Sequence, residues 1–214
     1  MAVAGAAVLA AARHYYPHAR RYLLLCGGGN NGGDGYVAAR LALQAGIEVR
    51  LVAAVEPAQL KGDAADAHAA FVAAGGVCQP WQPTLLTNAE LIIDALLGSG
   101  AQGPLRPEMA AICRAVNQAS CPLLAVDLPT GLEGGGRADG DALRASLTVA
   151  LIAAKPGLFS GQGPRCAGRV VVATLGVQVA LAQQQPASAW LLPASASPLP
   201  SRSPVGHKGL YGKV

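Results

Sequence analysis

Apolar residues in this chain come in short runs, and each run is closed by glycine or proline. Tyr22 to Cys26 reads YLLLC, residues 47–55 read IEVRLVAAV and residues 91–97 read LIIDALL. Pro122 to Asp127, residues 147–153 and residues 169–175 repeat the pattern. Tyr22 to Cys26 and the stretch leading to Asp127 are continuous apolar runs, the signature of strands buried on both faces, and the other segments read as strand-like. Between them lie Ala-rich stretches at helical length: residues 3–16, 36–45, 61–74 and 108–119. Gly46 follows the second and Gly75-Gly76 the third, where a helix stop needs them. A further weak strand is expected near Val77. Strands alternating with helices of this size predict βαβ units, a parallel sheet and right-handed crossovers.

Composition narrows the class. The 214 residues are 52% hydrophobic and only 13% charged, the reverse of a disordered chain. The net charge of +4 is spread without a basic run, so no footprint for nucleic acid is present. No uninterrupted apolar window is long enough to span a bilayer. The apolar start is read as a helix rather than a signal peptide, because Arg13 follows the apolar stretch instead of preceding it. Five cysteines without a CxxC pair suggest reduced thiols and a cytoplasmic protein, with neither a disulfide framework nor a zinc site. From about Val177 the composition turns rich in Pro, Ser, Gln and Ala. Residues 178–204 are therefore read as a linker after a domain spanning residues 1–177.

The candidate chemistry lies where strands end. Residues 27–35, GGGNNGGDG, read as a loop that contains GxGxxG at Gly27, Gly29 and Gly32. With Glu56 after the next strand, spacing alone suits a nicotinamide dehydrogenase. Asp34, taken as the carboxylate capping the following helix, argues against a phosphate there. The second loop follows Asp94 and reads GSGAQGP. The third follows Asp127 and reads LPTGL. Three oxygen-rich loops at the carboxyl ends of parallel strands converge on one crevice in a doubly wound sheet. Asn31, Asp94 and Thr130 are hard oxygen donors without His or Cys. One carboxylate among neutral oxygens suits a monovalent ion such as potassium. Backbone N–H groups of the glycine loops suit phosphates. Asp127 is the candidate proton shuttle and Lys155 its cationic partner. No Ser-His-Asp set or cysteine nucleophile is legible.

Taken together, GGGNNGGDGYVAAR, DALLGSGAQGPLR, AVDLPTGL and KPGL, in this order, resemble the NAD(P)H-hydrate epimerase family (the YjeF-type N-terminal domain) over roughly residues 1–177. The resemblance implies a Rossmann-like three-layer αβα sandwich with a mostly parallel sheet. It implies interconversion of the R and S forms of hydrated NADH and NADPH, which carry a hydroxyl at C6 of the nicotinamide ring. Asn30, Asn31, Gly32, Gly33, Asp34, Gly98, Ser99, Gly100, Ala101, Gln102, Gly103, Pro104 and Asp127 would then contact the hydrated cofactor. Asn31, Asp94 and Thr130 would bind potassium, with Thr130 standing where the family usually has Ser. The family also implies a homodimer, and it usually has one or two further helices ahead of the point matching Met1. Residues 207–214, HKGLYGKV, resemble the opening of an ADP- or ATP-dependent dehydratase domain, which makes residues 205–214 its truncated start. Two other readings stay open: a non-catalytic binding or scaffold module of the same fold, and the nicotinamide oxidoreductase.

Overall fold

The computed structural model describes residues 1–185 and 187–192. The chain runs α1 (Ala2–Tyr15), β1 (Arg21–Cys26), α2 (Asn30–Gln44), β2 (Glu48–Ala53), α3 (Gly62–Ala73), β3 (Cys78–Gln79) and β4 (Leu91–Ala95). It continues through α4 (Pro107–Gln118), β5 (Leu123–Val126), β6 (Leu147–Leu151), α5 (Gly163–Cys166), β7 (Arg169–Ala173) and α6 (Gln178–Gln184). The seven strands form one sheet in the order β3-β2-β1-β4-β5-β6-β7, and every pairing is parallel. The sheet expected to be mostly parallel is thus parallel throughout the described residues.

Period-two alternation sorts each strand between two cores. Tyr22, Leu24 and Cys26 of β1 face α1, α2 and α3, packing with Val8, Ala39, Phe71, Ile93 and Val126. Leu23 and Leu25 face the other way and meet Ile92, Ala125 and the α4 residues Ile112, Cys113 and Val116. Two helical layers around one sheet make the three-layer sandwich expected from the sequence. Alanines at positions 4, 12, 38, 39 and 42 are buried and let α1 and α2 lie close on the sheet. Gly46 and Gly75 stop their helices at φ 76° and 88°, a conformation that costs glycine little.

One element departs from the sequence expectation. Residues 27–35 were expected as a loop and 36–45 as a helix, but α2 already begins at Asn30. The glycines inside its first two turns serve close packing. A Cβ on Gly32 would lie 1.9 Å from the carbonyl oxygen of Gly27. One on Gly35 would lie 2.7 Å from Cys26 Sγ and 2.6 Å from Ala95 Cβ. Glycine here marks a helix pressed against the strand end that feeds it, rather than a turn. The predicted linker opens with α6, which runs Gln178–Gln184 with its side chains largely exposed. Residues 193–204 of that predicted linker, and the predicted dehydratase start at 205–214, lie outside the described residues.

Candidate active site

The strand order reverses between β1 and β4, and the loops leaving these two strands flank a crevice. That is the place where ligands bind in open parallel sheets. The Gly27 N–H donates to the Ala95 carbonyl, which holds the first loop against the end of β4. A cavity of 630 Å³ opens above. It is lined by Asn30, Asn31 and Asp34 from α2, by Gly98, Ser99, Gly100 and Ala101 after β4, by Asp127 after β5 and by Lys155 after β6. The first two predicted loops and Asp127, at the head of the third, therefore meet in one cavity, whereas Gly131 and Leu132 of the third loop line a neighbouring one.

Asp127 stands at the centre of the polar contacts. It leaves β5 at φ 68°, a left-handed conformation uncommon for a residue with a Cβ and concentrated at functional sites. Its Oδ1 accepts from Lys155 Nζ and from the Leu151 N–H, and its Oδ2 accepts from the Ser99 N–H at 3.1 Å. Burial pushes this carboxyl up. The hydrogen bond and charge of Lys155, with the Ser99 donor, outweigh that and hold it below the usual carboxylate range. Lys155 also donates to the Leu151 carbonyl at 2.7 Å, so its ammonium is pinned between strand end and carboxylate.

Beneath the cavity floor, Asp94 and Thr130 bind one another. The Thr130 hydroxyl donates to Asp94 Oδ1 and its N–H to Oδ2, both at 2.7 Å. Asp94 Oδ1 also accepts from the Leu96 N–H, and Thr130 Oγ1 accepts from the Leu97 N–H, each at 3.1 Å. Both residues are fully buried. Burial pushes the Asp94 carboxyl up to about 6, with the Thr130 and Leu96 donors opposing. No Lys, Arg or His pairs with it among the described residues. Asn31 closes the third side of the same turn: its side chain packs against Gly98, and its buried Nδ2 has no hydrogen-bond partner among the described residues.

The structure separates some residues that the sequence grouped. Gly32 and Gly33 line no part of the cavity; the first packs on the Gly27 carbonyl and the second against Met1 and Ala64. Gln102, Gly103 and Pro104 belong to a neighbouring 450 Å³ cavity with Leu105, Arg106, Met109 and Ile112. The two cavities share Gly28, Leu96, Leu97, Gly98 and Ala101, so the second loop is the wall between them. Asp34 is not a cap. The helix begins after Gly29 without a side-chain cap, which leaves its first-turn N–H groups uncapped, and Asp34 follows one turn later. Glu56, the carboxylate that suited a ribose, lines neither cavity. Sequence reasoning missed Leu151 and Ile152, which border Lys155. Ile152 takes φ 67°, a feature with no residue-type signal. Burial pushes all five thiols up, so none is set up as a nucleophile.

Comparisons with known proteins converge on one family. The family model described as YjeF-related protein N-terminus matches residues 1–157. The bifunctional NAD(P)H-hydrate repair enzyme Nnr of Coxiella burnetii is 39% identical over 184 residues, covering 85% of this chain and 38% of that protein. Its namesake from Escherichia coli is 38% identical over 191 residues, covering 85% and 36%. The chain thus spans less than two-fifths of these bifunctional relatives. The NAD(P)H-hydrate epimerase of Limosilactobacillus fermentum is 37% identical over 147 residues, 65% of this chain and 67% of that protein. In structure, the yeast protein YNL200c matches with a TM-score of 0.70 at 20% identity, over 80% of this chain and 76% of that one, which supports the fold. With the motifs, the sheet order and the family match in agreement, the chain belongs to the YjeF-related protein N-terminus family.

Proposed function

We propose that this chain epimerises the R and S forms of hydrated NADH and NADPH. The observation that carries the reading is the Asp127–Lys155 pair, a buried carboxylate and a half-buried ammonium, facing Asn30, Asn31 and Asp34 across one cavity at the switch point of the sheet. The likeness to a relative named NAD(P)H-hydrate epimerase, two-thirds of which this chain covers, supports it. Inversion at a carbon bearing a hydroxyl needs proton transfer and no redox partner, and the cavity offers carboxylates beside a cation. In this reading Asp127 shuttles a proton and Lys155 stabilises its charge. Asn30, Asn31, Asp34 and the wall from Gly98 to Ala101 position the hydrated ring. Backbone N–H groups of the glycine loops receive the diphosphate. Gln102, Gly103 and Pro104 contact the substrate from the neighbouring cavity.

Asn31, Asp94 and Thr130 would hold potassium. The donor set fits: a buried carboxylate without a counter-cation, a hydroxyl already turned toward it, and an amide with an unpartnered atom, all around the Leu96–Leu97–Gly98 turn. The ion would supply positive charge beneath the floor and fix the three loops relative to one another. The bifunctional relatives are more than twice the length of this chain. A linker over residues 178–204 and the start of a dehydratase domain at 205–214 are part of the same proposal, in line with that difference in length. A cytoplasmic location and a homodimer belong to the same proposal.

The test is direct. Hydrated NADH enriched in one epimer is mixed with the chain, with and without potassium, and interconversion is followed by chromatography. Accelerated equilibration is expected, with Asp127→Ala lowering it about 10²-fold or more. A folded wild-type chain that leaves the epimer ratio at its uncatalysed rate would overturn the reading and favour the binding module.

A further inference from the structure

Two carboxylates face the Asp127 cavity, and their surroundings differ. Asp127 accepts hydrogen bonds from Lys155, Leu151 and Ser99, a set that stabilises the anion. Asp34 lines the same cavity from α2 and is only 8% exposed. No hydrogen-bond donor among the described residues supports its carboxylate. It lies four residues after Asn30, and helical side chains lean toward the N-terminus. Its side chain lines the cavity together with Asn30 and Asn31 of the first turn. The anion-stabilised carboxylate and the unsupported one come from different elements and meet across the space that would hold the ring.

We infer that Asp34 is a second catalytic residue, the acid that protonates the departing C6 hydroxyl while Asp127 takes a proton from the water that replaces it. The inference rests on the epimerase reading. The N1 lone pair forms an N1=C6 double bond, the C6–O bond breaks, and the oxygen leaves as water with the proton of Asp34. Water then adds to C6 from the opposite face, the electron pair returns to N1, and the surplus proton passes to Asp127. C6 is inverted, nothing is oxidised or reduced, and solvent returns the proton. Burial pushes the Asp34 carboxyl up to about 6, the Met1 α-amine opposing and Asp127 adding to the rise. Asp127 moves the other way. Two neighbouring carboxyl groups driven apart in this manner are the usual mark of an acid and a base sharing one site.

The experiment compares wild type, Asp34→Asn, Asp34→Glu and Asp127→Asn in kcat, KM, melting temperature and uptake of ¹⁸O from labelled water into the C6 hydroxyl. Asp34→Asn is expected to lower kcat about 10²-fold or more while KM stays within about threefold. Its melting temperature should equal or exceed that of the parent, which a structural role does not produce. Asp34→Glu, which keeps the acid, should recover most of the lost kcat. Each inversion by the wild type should bring in one labelled oxygen. Asp34→Asn with near-parental kcat, a loss confined to KM, or inversion without label uptake would overturn the inference while leaving the epimerase reading intact. A wild type that does not interconvert the epimers would overturn both.

Discussion

At the scale of single residues, Asp34 and Asp127 make opposite contributions to folding. The Asp34 carboxyl rises from 3.8 to about 6 on folding, so between those values the folded state binds more protons than the unfolded one. Stability attributable to this group therefore grows as pH falls through 6 and is lowest above it. Asp34→Asn should be more stable than the parent by about 1–2 kcal/mol at pH 8, after allowing for solvent screening. That gain should shrink as pH approaches 4. Urea denaturation at the two pH values measures it; a variant less stable at pH 8 would mean that the folded protein compensates the charge. Asp127 carries the other sign. Its folded value is depressed, so its contribution is present above the unfolded value and is lost as pH falls through the folded one. Asp127→Asn leaves the half-buried Lys155 without its carboxylate partner and should cost about 2 kcal/mol at pH 7 in the same assay. One position would give up stability for a proton, which is the trade expected where a side chain is kept for chemistry.

At the scale of elements, the unit β1–α2 sets the geometry of the crevice. Gly27 and Gly32 allow the helix to start almost on top of the strand end. A Cβ on Gly27 would lie 1.9 Å from the Leu96 carbonyl oxygen, and one on Gly32 would lie as close to the Gly27 carbonyl. Backbone cannot yield as a side-chain tip can, so Gly27→Ala and Gly32→Ala should each cost about 3 kcal/mol or fail to fold. Gly29→Ala, at φ −98° with nothing within 4 Å of the added carbon, should leave the melting temperature near that of the parent. A thermal scan of the three variants tests the contrast. The same unit explains what the sequence could and could not show. The strands were legible because burial on both faces leaves an unbroken apolar run, as in Tyr22–Cys26 and Leu123–Val126. The start of α2 was not. Glycine looks alike whether it frees a turn or makes room for a carbonyl, and only the distance to Gly27 separates the two uses. The same ambiguity made Asp34 look like a cap. Residue type placed it near a helix start, but where that start falls depends on packing. For the site, Asp127 and Lys155 were legible as strand-end polar residues, whereas the left-handed turn at Ile152 and the second cavity behind Gly98 are properties of the folded backbone.

At the scale of the whole molecule, the sheet order decides which loops meet. Because β1, β4 and β5 are adjacent and parallel, the loops after them open side by side at the carboxyl edge of the sheet, and Asp94 and Thr130 tie the last two together. That tie is the least water-accessible polar contact of the site, and a carboxylate without a counter-cation sits inside it. A proposed potassium ion held by Asn31, Asp94 and Thr130 would join all three loops, and it would bind only the folded chain, since the three residues are far apart in sequence. Ligand that binds only the folded state stabilises by mass action, by about 1.4 kcal/mol when its concentration is tenfold above Kd. Raising KCl at constant ionic strength, against NaCl or choline chloride, should therefore raise the melting temperature of the wild type in a saturable way. Asp94→Asn lowers stability in any salt, because the carboxylate uses both oxygens, Oδ1 for the Thr130 hydroxyl and the Leu96 N–H and Oδ2 for the Thr130 N–H, whereas an amide keeps one acceptor oxygen and leaves one buried donor unpaired at a cost of about 1–3 kcal/mol. The diagnostic quantity is hence the potassium increment rather than the absolute stability. The increment should vanish in Asp94→Asn and persist in Asp34→Asn, whose side chain faces the cavity above. An increment that survives in Asp94→Asn, or that sodium reproduces in full, would place the ion elsewhere and leave Asp94–Thr130 as a structural tie alone.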